Sequence, residues 1–156
     1  MKHTEIRLLF ADPEQYIGKT VTVCGWVRTG AEVKPMTFIQ VNDGSTTTQN
    51  LQLTVPQDAF TDAEYAARIK PVLTLGCSLR ATGTVVASER NIIELETTDV
   101  ELLGACPADY PLQKKKTSAE FLRTIPHLRT RTNLMKTCMS IRSTLAYAVA
   151  TTTPLL

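Results

Sequence analysis

Val21-Thr-Val-Cys-Gly-Trp-Val-Arg28 sets Val21, Val23 and Val27 on one parity. This is the period of a half-buried strand, with Gly25 as an interruption. Thr37-Phe-Ile-Gln-Val41 and Asn50-Leu-Gln-Leu-Thr-Val55 repeat the alternation, so Ile39, Val41, Leu51, Leu53 and Val55 face a core. Between those two strands, Asn42-Asp-Gly-Ser-Thr-Thr-Thr-Gln49 is built from turn formers. The period changes over residues 58–70, where Phe60, Ala63, Ala66, Ala67 and Ile69 fit a helical stripe that Pro71 closes. Strands return at 77–86 and 92–97, with Ser88-Glu-Arg-Asn91 as the hairpin loop between them.

Three strands, a helix and two more strands is the order of an all-β OB-fold, a five-stranded Greek-key barrel with one helix between its third and fourth strands. It is expected over residues 18–103, with strands two and three presenting the binding face. Upstream, Asp12-Pro-Glu-Gln15 reads as a helix start, with Asp12 as cap and Pro13 in the first turn, and Gly18 ends that turn. Downstream, residues 104–113, with Pro107 and Pro111, read as linker. Thr117-Ser-Ala-Glu120 reads as a capping box opening a short helix that Pro126 terminates. From Asn133 onward Leu134, Cys138, Ile141, Leu145 and Ala148 recur at steps of three and four, an amphipathic helix of about four turns. The expected organisation is a barrel domain over 1–103, a linker over 104–116 and a helical extension over 117–156 whose apolar stripe needs a partner.

The 156 residues carry a net charge of only +2. Residues 1–113 hold nine Lys/Arg against fourteen Asp/Glu, whereas residues 114–156 hold eight against one. A basic segment on a mildly acidic body points to a polyanionic partner or an acidic packing surface. The N-terminus lacks the apolar core of a secretory signal and no apolar run approaches the roughly 20 residues of a membrane span, so a cytosolic protein with no membrane partner is expected. Cys24, Cys77, Cys106 and Cys138 are scattered singly, without the clustered ligands of a zinc site.

Residue types do not point to an enzyme. There is no glycine-rich phosphate loop and no nucleophile–His–acid arrangement in a familiar context. His127, between Pro126 and Leu128, lacks a partner to orient it and reads as structural. Binding fits better. Phe38 and Gln40 lie on the parity opposite to Thr37, Ile39 and Val41, and Gln52 has the same outward parity on the next strand. An outward ring offers a stacking platform and an amide reads base edges by paired donor and acceptor. The alternative is a Phe38 covered by a loop. Arg28 and Lys34 are candidate phosphate contacts. Glu94, opposite in parity to Ile93 and Leu95, is either part of that surface or a solvated strand carboxylate. Lys114–Lys116 reads as solvated linker or basic contact, and Arg129 and Arg131 alternate in an expected extended stretch suited to gripping carboxylates or phosphates.

Several of these stretches resemble the asparaginyl-tRNA synthetase family, within the class IIb group that includes the aspartyl enzyme. They are residues 21–29, Phe38-Ile39, Asp43-Gly-Ser45, Asn50-Leu-Gln52, Thr82-Gly-Thr-Val-Val-Ala-Ser88, and the junction Tyr110-Pro-Leu-Gln-Lys-Lys-Lys116 through Glu120-Phe-Leu-Arg123 to Pro126-His-Leu-Arg-Thr-Arg-Thr-Asn133. The resemblance covers about residues 18–150 and implies a barrel that reads the tRNA-Asn anticodon. Phe38 would stack on its central uridine, Gln52 would read a base edge, and Arg28 and Glu94 would complete the surface. The segment from His127 through the long helix would approach class II motif 1, which forms a homodimer interface in the full-length family, and Thr153-Pro-Leu155 resembles the close of that motif. Motifs 2 and 3, which the family uses for ATP, Mg²⁺ and the adenylate, have no counterpart in these residues. The chain alone is therefore expected to need no cofactor and not to catalyse. The alternatives are a free-standing OB-fold nucleic-acid-binding protein derived from a synthetase, or a shortened product whose helix serves only in association.

Overall fold

The computed structural model describes residues 3–115 and 117–152; Lys116 of the basic run and the Thr153-Pro-Leu155 ending lie outside the described residues. The chain divides into two units, 1–113 and 114–156, and the charge asymmetry of the sequence falls on that same boundary.

In the first unit, five strands close a barrel in the order β1-β2-β3-β5-β4: β1 Thr20–Val33, β2 Met36–Asn42, β3 Leu51–Pro56, β4 Ser78–Ser88 and β5 Ile92–Gly104. All pairs are antiparallel except β3 with β5. Strand β1 does most to close it. Gly25 does not interrupt the strand but marks the place where it changes partner: residues up to Trp26 pair with β4 and residues from Trp26 onward pair with β2. A Cβ at Gly25 would lie 2.6 Å from Val41 Cγ1 and 3.0 Å from Asn42 O, so only glycine lets the two strands approach there. The expected alternation holds in the first three strands, with Val21, Val23, Val27, Thr37, Ile39, Val41, Leu51, Leu53 and Val55 buried. Strand β5 runs past its expected end at Thr97 because a bulge at Thr98 shifts the register against β4 and turns Val100 inward.

Two helices precede the barrel, α1 Ile6–Ala11 and α2 Pro13–Tyr16. Pro13 opens α2 as expected, although the Asp12 side chain makes no cap hydrogen bond. Helix α1 was not expected. It inserts Ile6 and Leu9 into the core, and its first N–H is satisfied by Asp43 Oδ2 at 2.8 Å, from the β2–β3 loop.

The segment between β3 and β4 corrects the expected helical stripe. A capped α-helical turn α3 (Asp62–Glu64) runs into a wide π turn at Tyr65–Ile69 and a tight 3₁₀ turn at Lys70–Leu73. These changes of pitch rotate the face, so Ala63, Ala66 and Ala67 are exposed while Ile69 and Val72 are buried. Pro71 lies inside the last turn rather than closing the helix. Beyond β5, residues 105–113 belong to the first unit, with Cys106 and Tyr110 against Gly76 and Leu112 buried.

Cys77 is fully buried, and burial pushes its thiol up from 9.0 to about 11, with the neighbouring Cys106 adding to the rise. The native state keeps this proton while the unfolded chain releases it, so the associated stability is lost as pH rises from about 9 towards 11. Because the thiolate is the nucleophile, iodoacetamide at pH 8 is expected to modify the exposed Cys138 well before Cys77. Peptide mass spectrometry over a time course checks the order, and equal rates would contradict it.

The second unit holds α4 Ala119–Thr124, a 3₁₀ turn at Arg129–Arg131 and α5 Asn133–Thr152. The cap of α4 is Ser118, whose Oγ accepts from Phe121 N at 3.1 Å, not Thr117. The helix starts one residue later than expected, Glu120 falls outside the reciprocal position, and no capping box forms. Arg129 and Arg131 are likewise corrected: they sit on a helical turn, not an extended strand. None of the described residues of α5 is buried.

Candidate nucleic-acid interface

The outer face of the barrel over β1, β2, β3 and β5 carries the side chains left over from the core alternation. Phe38 faces Ala31 of β1 and Thr54 of β3, and is half-buried on that face. One ladder step away Gln40 faces Thr29 on one side and Gln52 on the other, and Gln52 in turn faces Glu94 of β5. Cross-strand neighbours of this kind hold their Cβ atoms about 4.5–5.5 Å apart. An aromatic ring, two amides and a carboxylate therefore share one patch. Among the described residues no hydrogen bond engages the Gln40 or Gln52 amide.

Glu94 is fixed from behind. Its Oε1 accepts from Ser88 Oγ at 2.5 Å and from Asn91 Nδ2 at 2.9 Å. Both donors lie in the stretch read from sequence only as a hairpin loop. The usable signal was Ser and Asn within six residues of an outward strand carboxylate, a spacing a hairpin folds back on itself.

The hairpin between β1 and β2 borders the patch. Lys34 is exposed at its tip, and Arg28 occupies the bulge between Val27 and Thr29. The hairpin is braced by a chain that runs from Gln57 Nε2 to Thr37 Oγ1 (3.0 Å), from Thr37 to Tyr65 Oη (2.6 Å), and from Tyr65 Oη to Glu32 Oε1 (2.8 Å). Burial raises the Tyr65 pKa, which keeps the phenol a donor to Glu32. Nothing in residue type announced this brace, because its four members come from four separate segments of the chain. Arg129 and Arg131 belong to the second unit and Lys114 and Lys115 are exposed there.

The β2–β3 loop is held by its own polar groups. Asn42 Nδ2 donates to Thr46 Oγ1 (3.0 Å) and Gln49 O (2.9 Å), while Asp43 Oδ1 accepts from Ser45 N (2.9 Å). A concavity of about 520 Å³ lies elsewhere, between the N-terminal end of α1 and the middle of β1, lined by His3, Arg7, Trp26 and Asp43 among others. Its mixed charges and lack of convergent donors give it no evident chemistry, whereas an extended polymer is read on an open face. Among the described residues no three His, Cys, Asp or Glu side chains gather as a metal site would need.

A closed five-stranded barrel with a ring and polar side chains on strands two and three defines an oligonucleotide-binding module. Residues 21–103 match the family model described as an OB-fold nucleic acid binding domain, of the tRNA anticodon type, and the chain belongs to that family. Its curated relatives are asparagine–tRNA ligases: that of Acetivibrio thermocellus is 40% identical over 151 residues, covering 96% of this chain and 32% of the relative. That of Microcystis aeruginosa is 43% identical over 150 residues, covering 94% and 31%. Among solved structures, asparaginyl-tRNA synthetase from Pyrococcus horikoshii complexed with asparaginyl-adenylate superposes with a TM-score of 0.81 at 25% identity, covering 96% of this chain and 33% of that one. The chain thus spans about a third of the length of the relatives it matches.

Proposed function

We propose that this chain is the anticodon-reading portion of an asparagine–tRNA ligase, with tRNA-Asn as its partner. The observation that carries the reading is the half-buried Phe38 with Gln52 and Glu94 beside it on the open β2–β3–β5 face. Phe38 supplies the stacking surface, Gln52 reads an edge, and Arg28 and Lys34 along the hairpin take phosphates. The parent activity, activation of asparagine with ATP and its transfer to tRNA, lies with the whole ligase. ATP and Mg²⁺ find no fit among the described residues, which offer neither a gathered carboxylate set nor a glycine-rich loop. Association of α5 with a second copy, by analogy with motif 1, and a location in the cytosol belong to the same proposal; no helix among the described residues is long and apolar enough to cross a membrane.

The test is Phe38→Ala. Affinity for a tRNA-Asn anticodon hairpin is expected to fall by about 1–3 kcal/mol, the worth of one stacking platform. The thermal midpoint should barely move, because Phe38 stands outside the core. An unchanged affinity, measured by fluorescence anisotropy, would overturn the assignment. A large loss of stability without loss of affinity would make Phe38 a packing residue instead.

A further inference from the structure

We infer that Tyr65 is a positioning residue for RNA binding: through Glu32 and Thr37 it holds the tip of the β1–β2 hairpin where Lys34 meets a phosphate. The inference rests on the function proposed above and adds to it the part of the fold that aims the hairpin.

Past Trp26 the first strand leaves β4, so residues 29–33 pair with β2 alone. A two-stranded ribbon is marginal in water by itself. Residues 31–35 at its end are all exposed, so the tip needs support from elsewhere. Facing pairs of such a ribbon share one of its sides. Ala31 with Phe38 and Val33 with Met36 lie on the side of the open face. Gly30 with Ile39 and Glu32 with Thr37 lie on the other side, where Ile39 and Thr37 are buried.

That inner side is floored by the connection between β3 and β4. A Cβ at Gly30 would lie 3.0 Å from Leu73 O and 3.1 Å from Leu73 Cα, so β1 rests on the backbone of the 3₁₀ turn. Gln57 N donates to Pro35 O at 2.9 Å, and Gln57 Nε2 donates to Met36 O at 3.3 Å as well as to Thr37 Oγ1. These bonds hold the β2 half. The β1 half is tied by Tyr65 Oη, which lies 2.6 Å from Thr37 Oγ1 and 2.8 Å from Glu32 Oε1.

The chain of bonds has one direction. Met36 O only accepts, which fixes Gln57 Nε2 as the donor to Thr37 too. The Thr37 proton then goes to Tyr65 Oη, and the phenol proton goes to the Glu32 carboxylate, which only accepts. Tyr65→Phe cuts this chain in the middle. Gln57 keeps the β2 half in place, while Glu32 loses its donor and the β1 half is released. Lys34 is exposed two residues beyond Glu32. Its ammonium is a point charge on a flexible stem, so its aim depends on the backbone beneath it.

The experiment measures binding of the full chain to a tRNA-Asn anticodon hairpin as a function of salt. Each neutralised phosphate of a single strand adds about 0.7 to the slope of log K against log salt. Lys34→Ala is expected to lower the slope by about 0.7, so affinity falls about 2.5-fold less between about 50 and about 200 mM salt. Tyr65→Phe is expected to lower it equally with Lys34 still present, and the double variant to lose no more than either alone. A Tyr65 that served the fold alone would shift affinity alike at every salt and leave the parent slope, which overturns the positioning. A double variant whose slope falls by the sum of both losses, or a Lys34→Ala slope equal to the parent's, overturns it as well. Phe38→Ala, read alongside, is expected to weaken binding about tenfold at an unchanged slope, because stacking neutralises no phosphate. If Phe38→Ala binds as tightly as the parent, the proposed function falls. If it weakens binding while Tyr65→Phe keeps the parent slope, the positioning falls alone. Circular dichroism melts confirm folding of each variant. Should Tyr65→Phe not fold, Glu32→Ala and Glu32→Gln decide, since both lose the charge and only the second keeps an acceptor: a lower slope for Glu32→Ala supports the positioning and equal slopes overturn it.

Discussion

Gly83→Ala is expected to destabilise the barrel by about 3 kcal/mol, the upper end of what overpacking costs, and to lower its thermal midpoint by about 10 °C. In most strands the same change is neutral or helpful, because glycine loses more freedom on folding than alanine. Here the sign reverses for a local reason. Gly83 sits at the register shift between β4 and β5, facing Thr97. A Cβ there would lie inside the van der Waals surface of the Glu96 carbonyl oxygen and 2.8 Å from both the Glu96 carbonyl carbon and Thr97 Cα. All three atoms are backbone, so relief requires the strands themselves to separate at the bulge. Gly104→Ala is the control. Its Cβ would meet Ser78 Oγ at 2.8 Å, a side chain free to rotate. Urea unfolding of the two variants beside the parent measures the difference, and a Gly83→Ala midpoint within error of Gly104→Ala would show that the bulge yields easily.

The strand faces were legible because a period of two survives any tertiary context once one face is buried. Val21, Val23 and Val27, or Thr37, Ile39 and Val41, could only have been core together. The same parity placed Phe38, Gln40, Gln52 and Glu94 outside, and register did the rest by aligning the last three in one row. What stayed hidden depended on partners distant in sequence or on short segments. Helix α1 is six residues long and offers only Ile6 and Leu9 as a pattern, and its cap comes from Asp43. The turn between β3 and β4 broke the helical period by passing through π and 3₁₀ geometry, which no apolar spacing encodes. The support of Glu94 by Ser88 and Asn91 required the β4–β5 hairpin to be closed first. Arg129 and Arg131 alternate in the chain in a way that fits a strand and a 3₁₀ turn equally well.

The largest contrast within the molecule is expected in amide exchange, where the backbone of α5 should exchange at least about a thousandfold faster than that of β1 and β2 in a dilute sample. The twenty residues from Asn133 to Thr152 include Leu134, Ile141, Leu145 and Val149, each more than half exposed, and no described residue of the helix is buried. A helix of this length holds only marginally in water by its own hydrogen bonds, and most helical stability in proteins comes from burying an apolar face. The strand amides, by contrast, lie on both sides of a core containing Val23, Val27, Ile39 and Val41, and open only when the barrel does. Raising the protein concentration separates two sources of protection. If a second copy covers the stripe of Leu134, Cys138, Ile141 and Leu145, exchange of α5 slows with concentration while that of β1 and β2 does not change. Equal protection of α5 and the strands at the lowest measurable concentration would mean that the helix is held within a single chain, and the association assigned to it would fall.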